Sequence, residues 1–131
     1  MRIFVDGASS GNPGPAGAGI LILDSRGKVL VQESVPLGVA TNNQAEYLAL
    51  LLALRHLVAL GGPRATVFTD SELLYNQLTG RYRVRAENLR LLHLLAVAYL
   101  RTLAVEIRWV AREENRVADR LARAAARKRR S

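Results

Sequence analysis

Asp6, Glu46, Asp70 and Asp119 are the residues of this 131-residue chain whose positions ask most for a chemical explanation. Asp6 ends the apolar run Arg2-Ile-Phe-Val5, and Asp70 ends Ala65-Thr-Val-Phe-Thr69. Runs of this length bounded by turn signals read as buried strands. A helical crossover between two strands of one sheet makes them parallel, and ligands of open α/β sheets gather beyond the carboxyl ends of the strands. Both carboxylates are therefore expected at one edge. Glu46 falls in the first turn of an apolar helix over Thr41–Leu60 that starts at the same end. Asp119 lies on a last helix, at the border between an arginine stripe (Arg116, Arg120, Arg123, Arg127) and a core stripe (Val117, Ala118, Leu121, Ala125). Four clustered carboxylates repel, and burial worsens this unless divalent cations neutralise them. All-oxygen ligation suits Mg²⁺ or Mn²⁺.

Each acid also fits a local role. Asn43-Gln-Ala-Glu46 has the spacing of a capping box, with Glu46 reaching back to the N–H of Asn43. Asp70 before Ser71-Glu72 fits an N-cap worth about 1 kcal/mol. Asp6 before Gly7 fits a turn. Asp119 can pair with Arg116 or Arg123 for roughly 0.2–0.5 kcal/mol. These roles explain the acids singly but not four of them at one end of a sheet.

The elements that must position them follow from the same pass along the chain. Gly7–Gly19 holds five of the ten glycines and two of the four prolines and reads as a loop. Ile20–Leu23 and Lys28–Leu37 flank Asp24-Ser-Arg-Gly27 as a β-hairpin. The Thr41–Leu60 helix is apolar almost all round, hence buried, and Gly61-Gly62-Pro63 stops it. Helices follow over Ser71–Leu78 and Ala86–Leu100, separated by Gly80-Arg-Tyr-Arg-Val-Arg85. Val105–Val110 alternates as a strand, and the last helix starts near Asn115. The expected fold is α/β: a five-stranded mixed sheet with helices on both faces.

Composition narrows the function classes. The chain has no cysteine, which excludes disulfides, zinc–thiolate sites and thiol nucleophiles, and His56 and His93 are too few for a three-histidine metal site. The longest apolar stretch, Tyr47–Leu60, is broken by Arg55-His56 and is too short to span a bilayer. No secretory leader is read at the start, so a cytoplasmic, monomeric domain over residues 1–126 is expected, with a basic tail over 127–131. Of the net charge of +8, most sits on the last twenty residues, which carry eight basic and three acidic side chains. That segment fits a phosphate-binding face or a solvated helix equally well.

Four motifs resemble those of the ribonuclease H family. They are Asp6-Gly-Ala-Ser-Ser-Gly-Asn-Pro-Gly-Pro-Ala-Gly-Ala-Gly19, Thr41-Asn-Asn-Gln-Ala-Glu46, Thr69-Asp-Ser71 and Asn115-Arg-Val-Ala-Asp-Arg-Leu-Ala122. Their order and spacing cover nearly the whole chain. The resemblance implies a ribonuclease H-like fold and cleavage of the RNA strand of an RNA–DNA hybrid, leaving 5′-phosphate and 3′-hydroxyl ends. It assigns Asp6, Glu46, Asp70 and Asp119 as catalytic ligands of two Mg²⁺ or Mn²⁺ ions, Asp6 bridging. Two ions about 3.5–4 Å apart stabilise both the entering and the leaving oxygen of an in-line displacement. Hybrid shape and 2′-hydroxyls would be read in the wide minor groove. The Gly11-Asn12-Pro13 turn can bring bare backbone close to RNA, and Asn42, Asn43 and Gln44 carry amides that both donate and accept. By resemblance, Asn12 and Thr41 hold a DNA phosphate.

The chain departs from the family in two places. Many bacterial members carry an extra helix and basic protrusion after the helix that follows the Asp70 strand. Here Gly80 leads straight through Arg81-Tyr-Arg-Val-Arg85, and Arg81, Arg83 and Arg85 are the candidates to replace its phosphate contacts. The family often places a mobile histidine before the last helix; this chain has Ala111-Arg-Glu-Glu-Asn115, leaving Arg112, Glu113 or Glu114 as substitutes. No separate hybrid-binding domain is read in these residues. A proofreading exonuclease of the superfamily would need a second acid two residues after the first, where Ala8 stands. A phosphotransferase would need a lysine in the glycine-rich segment. The rival that remains is a non-catalytic module of the same fold that binds hybrid or double-stranded RNA.

Overall fold

Three long strands open the chain: β1 (Arg2–Ser9), β2 (Gly14–Leu23), which is covered on both faces along most of its length, and β3 (Val29–Ala40). The computed structural model describes residues 1–127. Beyond β3 come α1 (Asn42–Ala59), β4 (Ala65–Thr69), α2 (Glu72–Leu78), α3 (Glu87–Thr102) and β5 (Val105–Trp109). A 3₁₀ turn over Arg112–Glu114 leads into α4 (Arg116–Arg127). The sheet order is β3-β2-β1-β4-β5, with β1–β2 and β2–β3 antiparallel and β1–β4 and β4–β5 parallel. The five-stranded mixed sheet read from the sequence is therefore the one observed.

The main core lies under α1. Tyr47, Ala49, Leu50, Ala53, Leu54 and Leu57 of that helix are fully buried against Ile3, Val5, Ile20, Ile22 and Val67 of the sheet, and Ala45 is buried with Ala16 and Ala40. Each such Leu or Ile contributes about 1.5–3 kcal/mol by leaving water. The outer side of α1 is covered in turn by α3, which is why the helix is apolar almost all round. The opposite sheet face carries α4, which presents only Ala118, Ala122, Ala125 and Ala126 to the interior. Arg116, Arg120, Arg123 and Arg127 form the exposed stripe as expected. Ala122 and Ala126 join the buried face, where Val117 and Leu121 are only half-buried.

The glycine-rich segment is not a loop. β1 runs three residues past Asp6, and β2 begins at Gly14, so only residues 10–13 turn. Glycine serves here for close approach of backbones. A Cβ on Gly7 would lie well inside 3 Å of the Ala45 and Glu46 backbone of α1, and one on Gly19 would meet the Ala118 and Ala122 backbone of α4. Gly19 is the strand partner of Asp6. Two helices thus descend onto the two faces of the sheet beside the same residue. The C-terminal boundary also shifts: Arg127 is the last residue of α4 rather than the start of a tail, and residues 128–131 of the expected tail lie outside the described residues.

Because the atoms that would meet a methyl group at position 19 are helix backbone, the neighbourhood cannot yield by rotating a side chain. Gly19→Ala should therefore lower unfolding free energy by about 1–3 kcal/mol, measured by urea denaturation. An unchanged midpoint would contradict the close approach.

Candidate active site

The β1–β4 pairing sets two carboxylates abreast. The parallel register places Phe4 opposite Phe68, whose rings stack with centroids 4.9 Å apart. Asp6 and Asp70 each stand two residues further on, side by side. α1 brings in the third acid: the Gly7 N–H donates to Glu46 Oε1 at 3.1 Å. Oxygens of Asp6, Glu46 and Asp70 lie within 4.8 Å of one another. Asp119 stands outside that trio but within hydrogen-bonding reach of Asp6. Asp6 is thus the hub, in reach of the other three acids.

Electrostatics make this a costly arrangement. Asp6 is only 4% exposed. Burial, then repulsion from Glu46 and Asp70, pushes its carboxyl up to about 10. Glu46 is pushed up to about 8, again first by burial and then by Asp70. Asp70 is raised by burial as well, against the opposing pull of its hydrogen bond to Asp6 and of the Arg112 guanidinium. Such a cluster holds protons unless cations replace them. Carboxylate oxygens with no sulfur or imidazole among them fit a hard divalent cation such as Mg²⁺ or Mn²⁺.

Two local roles for the acids fall away. The cap of α1 is Thr41, whose Oγ1 accepts from the Gln44 N–H at 3.1 Å while Gln44 Oε1 accepts from the Thr41 N–H at 2.9 Å. Glu46 sits beyond the first turn and caps nothing, because its oxygen is turned to Gly7. The cap of α2 is Ser71, accepting from the Leu74 N–H at 3.1 Å, so Asp70 is free of that duty. A third local role is real: Arg123 Nε donates to Asp119 Oδ1 at 3.0 Å. This exposed i,i+4 pair is worth about 0.3–0.5 kcal/mol.

The acids line a cavity of about 520 Å³ together with Arg112 and Arg123. Of the three candidates to stand in for a histidine, only Arg112 faces it; Glu113 and Glu114 line a separate cavity beside Phe4 and Leu21. His56 pairs with Glu33 at 2.8 Å, and His93 Nδ1 lies 3.2 Å from the Tyr47 hydroxyl. Among the expected nucleic-acid contacts, Asn42 lines the cavity. Its Oδ1 accepts from the Ser9 N–H at 3.0 Å and its own N–H donates to Asn12 Oδ1 at 2.9 Å. This mutual clamp fixes the turn bearing Gly11, Asn12 and Pro13 against α1. Asn43 is exposed, whereas Thr41 and Gln44 spend one oxygen each on the cap. Arg81, Arg83 and Arg85 are exposed and lie outside the cavity wall.

Sequence reasoning missed two supports. Asn115 is buried, donates Nδ2 to the Val5 carbonyl at 2.9 Å, and its amide lies near enough to Asp70 to pull that carboxyl down. Its Oδ1 has no partner among the described residues. Trp109 Nε1 donates to the Asp70 carbonyl at 3.3 Å. The signal for Asn115 was an amide placed four residues before Asp119, within a stretch read only as a helix start.

Residues 4–125 match a family model described as reverse transcriptase-like. The bifunctional protein Rv2228c of Mycobacterium tuberculosis (strain ATCC 25618 / H37Rv) is 40% identical over 126 residues, covering 93% of this chain and 35% of that protein. The chain spans about a third of the length of the first curated relatives it matches. The crystal structure of RNase H1 from the halophilic archaeon Halobacterium salinarum NRC-1 superposes with a TM-score of 0.90 at 37% identity, covering 95% of each chain. That of LC11-RNase H1 in complex with RNA/DNA hybrid, an enzyme isolated from compost, superposes with a TM-score of 0.92 at 34% identity, covering 99% of each.

The raised carboxyls set a pH dependence whose sign is fixed. Between its ordinary value of 3.8 and about 10, Asp6 holds more proton in the folded than in the unfolded chain. Folding stability is then lost as pH rises across that window. In EDTA the melting temperature should fall from pH 5 to pH 9, and Asp6→Asn should flatten the fall; a flat parent profile would contradict the cluster. At pH 8 in EDTA, Asp70→Asn should melt no lower than the parent, whereas Ser71→Ala should lose about 1 kcal/mol with its cap.

Proposed function

The chain belongs to the type 1 ribonuclease H family, and from that premise we propose that it is a metal-dependent endonuclease cutting the RNA strand of RNA–DNA hybrids. The observation that carries the reading is the Asp6–Glu46–Asp70 trio, with its oxygens within 4.8 Å of one another and its protons held by burial and mutual repulsion. Asp6, Glu46 and Asp70, with Asp119 beside them, are the residues that would hold two Mg²⁺ or Mn²⁺ ions. Such ions supply Lewis acidity for in-line attack of water on a phosphodiester, giving 5′-phosphate and 3′-hydroxyl ends.

The chain's own residues supply binding and orientation. Trp109 holds the Asp70 segment, Asn115 holds the Val5 carbonyl next to Asp6, and the Gly7 N–H holds Glu46, so the carboxylates meet substrate already placed. Arg112 adds a fixed positive charge to the cavity wall, where a phosphate would lie. The amides of Asn42 and Asn12 are tied by their oxygens, leaving their NH₂ groups free to donate to minor-groove acceptors or phosphate. Arg81, Arg83 and Arg85 supply sequence-independent contacts further along the duplex. The hybrid bound to LC11-RNase H1, a protein of the same fold and 34% identity, supports the choice of duplex.

The test is incubation with end-labelled RNA–DNA hybrid and Mg²⁺ or Mn²⁺, beside single-stranded RNA, duplex RNA and duplex DNA. Cleavage confined to the RNA strand of the hybrid is expected, with fragments that a polynucleotide ligase can rejoin. Asp6→Asn should reduce cleavage at least a thousandfold, roughly the scale of removing a main transition-state stabiliser, while hybrid binding stays measurable. Binding without cleavage by the parent would favour the non-catalytic module; cleavage by Asp6→Asn at the parent rate would overturn the assignment of the acids.

A further inference from the structure

Asp119 differs from the other three acids in having a cation already attached. Arg123, one helical turn further along α4, donates Nε to Asp119 Oδ1 at 3.0 Å, and both side chains line the cavity that holds Asp6, Glu46 and Asp70. The arginine is the more exposed partner, at 53% against 24% for the aspartate. Among the described residues the guanidinium bonds this acceptor through Nε alone, so its two terminal nitrogens keep their fork of donors for a ligand in the cavity that Arg123 lines. That fork matches the oxygens of a phosphate better than a single carboxylate oxygen does.

Resting on the metal-dependent reading above, we propose that Arg123 is a positioning residue that keeps Asp119 from ion binding until a phosphate of the substrate takes its guanidinium. A divalent cation approaching Asp119 in the free protein must share the carboxylate with a fixed positive charge. Transfer of Arg123 to a phosphate removes that competitor and frees the carboxylate. Ion binding at Asp119 and hybrid binding are then linked, each raising the affinity of the other by the same factor. The pair is weak enough to exchange, being solvent-exposed and screened by salt. A purely structural role, one i,i+4 pair on a helix, would produce no such linkage.

The test titrates Mn²⁺ into the substrate-free protein by calorimetry, with melting curves confirming that each variant folds. Arg123→Ala should raise the affinity of an Asp119-dependent ion about twofold, the most that so weak a pair can withhold, and Arg123→Ala with Asp119→Asn should lose that gain. In the parent, a non-cleavable 2′-O-methyl RNA–DNA hybrid should raise the same affinity, and in Arg123→Ala it should add little. The log–log salt slope of hybrid binding should drop by about 0.9 in Arg123→Ala and be retained in Arg123→Lys. Superimposable Mn²⁺ isotherms for parent and Arg123→Ala would overturn the proposal alone. A parent whose Mn²⁺ isotherm is absent, or unchanged by Asp6→Asn, would overturn the underlying metal assignment as well.

Discussion

Around Asp6 the sheet has no side chain to keep its helices away. Gly7 follows it in β1 and Gly19 faces it across β2, so the backbones of α1 and α4 come down on the two faces of the sheet next to one residue. The approach of α1 brings Glu46 to the Gly7 N–H, and that of α4 brings Asp119 within reach of Asp6. A methyl group at either glycine would lift a helix and carry one carboxylate away with it. The spacing of the acids is therefore a packing property, set by main-chain contact, before it is an electrostatic one.

That packing forces like charges together in a poorly hydrated place, and among the described residues only Arg123, on Asp119, and Arg112, near Asp70, offset it. The groups that tether Asp6, Glu46 and Asp70 through their segments are neutral: an amide from Asn115, an indole N–H from Trp109, a main-chain N–H from Gly7. Neutral donors orient carboxylates without satisfying their demand for positive charge. The chain as a whole carries +8, so an acidic pit is set within a basic surface. Such a field draws a polyanion to the surface and small cations to the pit.

The strands that end near the acids were legible because apolar runs bounded by polar residues have few other readings. The parallel β1–β4 pair, and with it the side-by-side placement of Asp6 and Asp70, followed from the crossover rule. The glycine-rich stretch was misread because composition alone cannot separate a glycine needed for a turn from one needed for helix–sheet contact. Gly7 and Gly19 are of the second kind, and only the neighbouring backbone reveals it. Capping was displaced for a related reason: Thr41 with Gln44 satisfies the helix start as well as Asn43 with Glu46 would. That exchange released Glu46 for the site. Asn115 stayed hidden because its partner, Val5, lies at the other end of the chain.

That last contact spans 110 residues. α4 closes the described fold, and it carries Asp119 while Asn115 immediately precedes it. During synthesis, Asp6, Glu46 and Asp70 all leave the ribosome before the helix that completes their set. Long-range closures of this kind are slow to form, and the face of β2 that carries Gly17 and Gly19 has no cover until α4 arrives. The order of translation thus separates making the chain from arming it: the fourth acid and the amide that braces the strand of the first enter together, with the last helix of the described fold.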